Sequence, residues 1–414
     1  RVLAASAENL TQDNRRRFIA KIATNDWDAV IMTRTAFQRI PLSPDNEQAF
    51  ESRQVADIRD RIERLREAGS DSAPLKRLER KMFAREERVK KQRDVPHDPG
   101  LCWEHTGFDY IGVDEMHDFK NLQTLSSARD TNIDGSKRAL DLFAKVDYHR
   151  NTRGQDRVMV GATATPIANS IAEMYVMQRY LDPAGLERVG IADIDTWIAT
   201  FAETVSAPEL SVAGGERLTW KSRIAKFNNV PELLTMFHSF ADIKTPADLN
   251  LPVPLIARRP GDGERLPNTV VVPKSPELAA YTSALGERAD KVARRQVEPE
   301  VDNMLKIGVD GRMAALDLRL VDPDARVTGP TKVSMAADLL EHVWQQSKDY
   351  RYLDPAGQPS PHPGALQIVF CDLSTPNGGW NIYQTLKDAL IERGLPADRI
   401  RFVHEARNDA EKAQ

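Results

Sequence analysis

Asp114 and Glu115 stand together at the end of a short apolar run, in FDYIGVDEMHDFKN over residues 108–121. Phe108, Tyr110, Ile111 and Val113 are β-formers, and such a run predicts a strand buried on both faces of a parallel sheet. Ligands of parallel sheets bind beyond the carboxyl ends of the strands, which is where these two acids fall. An Asp in that place can hold Mg²⁺, directly or through water, and the ion bridges nucleotide phosphates. A second carboxylate beside it can orient or deprotonate the attacking water. Two acids after a strand also serve simply to end it in solvent, so the pair needs further residues before it carries a function.

The surrounding pattern supplies elements that could position such a loop. Residues 12–24 have the spacing of an amphipathic helix, and 28–33, DAVIMT, that of a buried strand leading into Arg34 and Thr35. Between Glu47 and Arg93 the apolar positions become sparse. Ile58, Ile62 and Leu65, then Leu75, Leu78 and Met82, recur at helical intervals on either side of GSDSAP, which predicts an antiparallel helical hairpin inserted between two strands. A helix follows near Lys137–Tyr148. A second short apolar strand comes at Arg157–Gly161, and past a Thr-Pro turn a helix is expected over Ile167–Leu181. Residues 191–250 read as mostly helical, and 251–276 as a Pro- and Gly-rich connector holding one strand, TVVV. Helices are expected at 277–297 and 332–348. After the loop at 352–365, LQIVFCDL, a helix over Trp380–Arg393 and IRFVH make a βαβ unit, the start of a second parallel sheet.

Composition bounds the function classes. In 414 residues, 41% hydrophobic and 29% charged, there is room for two or three domains with a sizeable core. No stretch approaches the ~20 apolar residues of a membrane span and the N-terminus has no signal-peptide pattern, so a cytoplasmic protein without a membrane partner is expected. The two cysteines, Cys102 and Cys371, give no disulfide framework. Cys102 and His105 have the spacing of half a zinc site, but no second pair follows at ligand-like distance. The net charge of −4 argues against a chain that coats nucleic acid indiscriminately. Residues 51–93, however, hold 14 Lys and Arg against 9 Asp and Glu, so electrostatic contact with phosphates is expected to be local. That segment is either a solvated spacer or a basic arm that touches DNA or a partner.

Two blocks together carry a resemblance. DEMHDFKN resembles motif II of superfamily 2 helicases, in particular the Swi/Snf-like translocases, whose acidic DExH box is followed by a Lys-Asn pair, here Lys120 and Asn121. RVMVGATATPIANSIAEMY resembles motif III of the same group, with Arg157, Thr163, Thr165, Pro166, Asn169, Glu173 and Tyr175 at the matching places; Thr163 lies 49 positions beyond Asp114. WDAVIMTRTAF resembles motif Ib, the strand and turn along the tracking DNA strand. LQIVFCDLSTP resembles motif IV, which opens a second RecA-like lobe. The chain is most similar to large helicase-like proteins of phages, plasmids and conjugative elements, often fused to a DNA methyltransferase domain. In these a charged helical insertion also precedes motif II, and a segment like NMLKIGVDGRMAALDLRLV, with Asp310, Gly311 and Arg312, precedes the second lobe.

The resemblance implies an α/β fold: an incomplete RecA-like lobe with a parallel sheet and helical insertions, and the beginning of a second. Residues 1–45 and 99–190 would form the first lobe, 46–98 the hairpin insertion, 191–360 a helical protrusion and linker, and 361–414 the start of the second lobe. It implies ATP hydrolysis with Mg²⁺ held by Asp114 through water, Glu115 activating the attacking water, and His117 completing the catalytic group. His117, together with Thr163 or Thr165 of motif III, would carry the nucleotide's state to the DNA path. Arg34, Thr35, Lys120, Asn121 and Asn169 would contact double-stranded DNA. The departures are as informative. No Gly in the chain is followed by Lys, so the G-x-x-x-x-G-K-[ST] cradle for the β- and γ-phosphates is missing, and so are the second-lobe arginines of motifs V and VI. The expectation is a motor segment of a longer polypeptide, inactive by itself, whose setting is mobile-element or phage DNA processing, restriction or antirestriction. The alternative is a helicase-derived scaffold that binds DNA or protein without hydrolysis. No Asn-Pro-Pro-Tyr methyltransferase signature occurs.

Overall fold

The computed structural model describes the chain except residues 6–11, 68, 70–72, 94–100, 127–132, 134, 211–217, 252–255, 260–261, 355, 377–378 and 407–414. It divides into two units, Arg1–Ala207 with Lys221–Leu251, and Pro208–Trp220 with Pro252–Gln414. The architecture is mixed α/β, with small parallel sheets and helical insertions.

In the first unit β1 (Val2–Ala4) pairs in parallel with β2 (Ala29–Ile31), across α1 (Gln12–Ala23). After α2 (Arg34–Gln38), the helices α3 (Pro44–Glu67) and α4 (Ala73–Arg93) form the expected hairpin. Ile58, Ile62 and Leu78 are buried between them, with Leu65, Leu75 and Met82 packed alongside. The turn of the hairpin, residues 70–72, and the expected domain boundary at 98/99 lie outside the described residues. Then β3 (Ile111–Val113) pairs in parallel with β4 (Met159–Gly161), across α5 (Lys137–Arg153). Ser136 caps α5 by accepting from the Ala139 N–H, and Gly154 ends it in the left-handed region. The largest core cluster forms around α5: Leu142, Phe143 and Val146 pack with Ile111, Met116, Phe119, Met159 and Tyr180.

Three arginines of the basic hairpin, Arg53, Arg61 and Arg85, reach partners within the same unit, while Arg59, Arg64, Arg66 and Arg80 stay exposed. Arg53 Nε donates to Asp147 at 3.1 Å. Arg61 reaches Asp193 at 2.9 Å and Asp195 at 2.5 Å. Arg85 pairs with Glu51 at 3.1 Å and donates to the Gln123 side chain at 2.8 Å. Arg53 and Arg61 thus tie the insertion to acids outside it, whereas Arg85 pairs with Glu51 of the hairpin itself.

Beyond β4 come α6 (Ala172–Leu181), α7 (Pro183–Arg188) and α8 (Ile194–Phe201), then β5 (Ala202–Leu210) and β6 (Leu218–Phe227), which pair with each other, and α9 (Val230–His238) and α10 (Pro246–Leu249). Trp197 and Phe201 anchor a second core with Tyr175, Leu186 and Leu233. In the second unit α11 (Pro276–Ala293) and α12 (Met304–Leu316) are tied by Arg288, which binds Asp302 at 2.7 Å and Asp310 at 2.8 Å. Asp310 thus has a structural partner. α13 (Lys332–Ser347) and α14 (Ile382–Glu392) complete the unit, joined by Arg393 and Asp338 at 2.6 Å.

Several expectations are corrected. The strands at 28–33 and 108–113 are not buried on both faces: Ile31 is 62% and Tyr110 52% exposed, and among the described residues each parallel pair has two strands, a sheet too narrow to be covered on both faces. The region 191–250 contains the β5–β6 pair in place of continuous helix. The helix expected from Ile167 begins at Ala172. Among the described residues no strand forms at TVVV, at LQIVFCDL or at IRFVH. Leu366 and Phe370 are 88% and 89% exposed; a strand exists only through a ladder partner, and among the described residues these segments have none.

Candidate active site

The loops that follow β3 and β4 are bound to each other by backbone hydrogen bonds. The Ala162 N–H donates to Val113 O at 2.8 Å, and the Met116 N–H donates to Ala162 O at 2.9 Å. Register Val113↔Gly161 sets this up, since it brings both strands to their carboxyl ends side by side. Gly161 is required for the approach. A Cβ built there would lie 2.8 Å from Met116 Cγ and 3.1 Å from Met116 Cβ, and Met116 is almost fully buried. Gly161→Ala is expected to cost about 1–3 kcal/mol by overpacking. A lowered urea midpoint at unchanged slope would show it, and an unchanged midpoint would mean that Met116 swings aside freely.

Asp114 and Glu115 are exposed at the tip of the first loop. Asp114 Oδ1 accepts from the Glu115 N–H at 3.0 Å. Glu115 has φ 54 and ψ 51, a left-handed conformation that costs a residue with a Cβ about 1–3 kcal/mol and persists only where the surroundings impose it. The surroundings here are the Met116–Ala162 hydrogen bond and the buried Met116 side chain. The kink points Glu115 back across the loop, so that its Oε2 lies 3.1 Å from His117 Nδ1.

His117 Nδ1 is also 2.9 Å from Thr163 Oγ1, and Thr163 Oγ1 accepts from the Thr165 N–H at 3.1 Å. One ring nitrogen carries at most one hydrogen. It therefore either donates towards Glu115 and Thr163 or, bare, accepts the Thr163 hydroxyl hydrogen and leaves Glu115 without a donor. His117 is a junction that touches both Glu115 and, through Thr163, the β4 loop.

The other candidate residues fall as follows. Lys120 Nζ lies 3.2 Å from Glu173 Oε1, with side-chain exposures of 12% and 3%. Glu173 Oε2 accepts from the backbone N–H of Ala168 at 2.7 Å and of Asn169 at 3.2 Å. Arg34, the first residue of α2, is ion-paired with Asp118, which Arg138 also approaches at 3.5 Å. Thr35, Asn121 and Asn169 are exposed, and Asn121 O accepts from the Ser136 N–H at 2.8 Å. Thus Asp114, Glu115, His117, Thr163 and Thr165 share one constellation, Lys120 and the Asn169 backbone join through Glu173, and Arg34 joins through Asp118. Sequence reasoning missed two contributors, Gly161 and Arg138, and gave Glu173 a place in motif III without the contacts its buried carboxylate makes. Only Glu173 had a signal, an acid four positions after Asn169, the spacing of a side chain that caps the N–H groups before a helix.

Among the described residues no group of three or more His, Cys, Asp and Glu could hold a metal by itself. Mg²⁺ asks for less: it keeps several waters and takes one or two carboxylates together with substrate phosphates. The exposed, hard oxygen donors of Asp114 fit that mode. The Cys102 N–H donates to His105 Nδ1 at 3.0 Å, so that ring nitrogen is used within the turn. Among the described residues no helix is long and apolar enough to cross a membrane.

Comparison with known proteins adds one finding. A family model described as a probable helicase domain matches residues 1–245. No curated protein and no solved structure matches the chain. The matched span contains both parallel strand pairs, the docked hairpin and the whole acidic constellation, and on that match over 245 of 414 residues the chain belongs to the probable helicase domain family.

Proposed function

We propose that this chain is the motor segment of an ATP-dependent helicase or translocase that acts on double-stranded DNA, a superfamily 2, Swi/Snf-like machine whose first lobe is RecA-like. The observation that carries the reading is the His117 junction, 3.1 Å from Glu115 and 2.9 Å from Thr163, at the carboxyl ends of adjacent parallel strands. That is where such sheets bind nucleotides, and a contact between a water-orienting carboxylate and a neighbouring loop is what coupling to a second ligand requires.

Asp114 would hold Mg²⁺ through water, and the ion would neutralise charge on the nucleotide's phosphates. Glu115, exposed and aimed by its kinked backbone, orients or deprotonates the attacking water. His117 sets the rotamer of Glu115 and passes the state of that loop to Thr163 and, through the Thr163 hydroxyl, to the Thr165 backbone. Arg34, Thr35, Asn121 and Asn169 make up the DNA-facing set; contacts of this kind grip phosphates without reading sequence. Lys120 belongs to the proposed set as well; like Arg34 on Asp118, it is engaged here by an acid of the same unit, Glu173. The phosphate cradle and the arginine finger are supplied from outside these residues. The setting we propose is cytoplasmic DNA processing in a mobile element or phage, with a methyltransferase domain on the same polypeptide.

The test is ATP turnover by the longest polypeptide carrying these residues, measured with and without duplex DNA. Turnover that rises with duplex is expected. Tight DNA binding without turnover would support the scaffold alternative.

A further inference from the structure

Resting on that reading, we infer that Glu173 and Lys120 form a latch that holds the two site loops in register, and that Glu173 is a positioning residue for hydrolysis. Glu173 is in the first turn of α6, yet its side chain is 3% exposed. A carboxylate there is tolerated only if fully satisfied. Its Oε2 takes the Ala168 and Asn169 N–H groups at 2.7 and 3.2 Å, and its Oε1 takes Lys120 Nζ at 3.2 Å. These three donors lie on two different loops: Ala168 and Asn169 in the segment after β4, and Lys120 at the end of the segment after β3. One buried carboxylate thereby fixes the far ends of both loops, while His117 and Thr163 meet at their near ends.

The latch has a mechanical consequence. From Thr163 to Ser170 no helix forms, so the loop's shape depends on Glu173 rather than on a helical ladder. If Glu173 lets go, the far end of the loop loses its bonds while the Ala162 backbone bonds keep its near end, so the contact of Thr163 with His117 loosens and Glu115 loses part of its aim. Lys120, three positions beyond His117, transmits the same displacement from the other side. Lysine suits this task, since a point charge on a flexible stem can follow the carboxylate when the loops shift.

Two substitutions separate the parts. Glu173→Gln keeps an oxygen for the backbone N–H groups but removes the ion pair. Glu173→Ala removes both. Amide hydrogen exchange at Ala168 and Asn169 is expected to quicken by roughly ten- to a hundredfold in Glu173→Ala, the size of a lost charged hydrogen bond. In the active full-length polypeptide, Glu173→Gln is expected to lower kcat for DNA-stimulated ATP turnover with KM for ATP unchanged, since positioning is lost and ground-state binding is not. Lys120→Arg is expected to retain most of kcat, and Lys120→Met to lose as much as Glu173→Gln, with the double variant no worse than either. Unchanged exchange at both amides overturns the latch. Altered exchange with wild-type kcat and KM overturns the positioning role and leaves a merely structural contact. A wild-type protein without ATP turnover under any condition defeats the proposed function, and the exchange measurement then decides the latch by itself.

Discussion

Glu115→Gln is expected to lower DNA-stimulated ATP turnover by roughly 10²–10⁴-fold, the range for loss of a positioned general base, while nucleotide binding stays close to wild type. The substitution is isosteric, so it leaves the left-handed backbone, the Met116–Ala162 hydrogen bond and the Asp114 cap in place. What it removes is the charge that faces the water and His117. Turnover with saturating duplex and titration of a fluorescent nucleotide analogue measure the two halves; wild-type turnover in the variant would remove Glu115 from the mechanism. A companion substitution tests why the backbone is kinked. At φ 54 a glycine fits without strain, so Glu115→Gly is expected to be as inactive as the Gln variant yet stabilised by about 1 kcal/mol. A residue whose removal makes the protein inactive and more stable is held in place for function.

The site was legible where its logic is local and opaque where it is not. An apolar run ending in Asp-Glu specifies a strand that delivers two acids to solvent, and β3 and its loop do that. The hairpin followed from Ile58, Ile62 and Leu78, which share one buried cluster, because helical spacing and breakers are short-range signals. The fate of the hairpin's charges was not legible. Arg61 finds Asp193 and Asp195 more than 130 positions away, and nothing in a charge run announces such partners. The pairing of Arg34 with Asp118 was hidden for the same reason. Strands failed where pairing decides. LQIVFCDL has every local mark of a strand and has no strand partner among the described residues, while β5 and β6 hold Pro208 and charged residues yet pair with each other. The late start of α6 has a specific cause: Glu173 caps the N–H groups of Ala168 and Asn169 from the side, which satisfies them without helix.

Asp141→Ala is expected to be among the most destabilising single changes in the first unit, by about 3–5 kcal/mol, because it strands a buried cation. Lys145 is fully buried. Its Nζ donates to Asp141 Oδ2 and to Phe37 O, both at 2.9 Å, and lies 4.0 Å above the Phe37 ring and 5.0 Å from that of Trp103. Burial pushes the Lys145 pKa down, against the pull of Asp141, and pushes that of Asp141 up, against the pull of Lys145. Each shift marks a charged form that the fold disfavours. For Lys145 the lost stability is regained as pH rises through its depressed folded pKa towards the unfolded value; for Asp141 it is regained as pH falls through its raised folded pKa towards the unfolded value. The pair therefore costs most at neutral pH; Lys145→Met leaves Asp141 without its cation but is expected to destabilise less than Asp141→Ala, since the partly exposed Asp141 carboxyl can take up a proton and Phe37 O keeps the Ile40 N–H as a donor. Moving from neutral to alkaline pH, wild type is expected to gain stability relative to Lys145→Met. Urea unfolding of wild type, Asp141→Ala and Lys145→Met at the two pH values measures both claims. An Asp141→Ala protein as stable as wild type would mean that Lys145 reaches water, and a wild type that loses ground to Lys145→Met as pH rises would reverse the sign of its pKa shift.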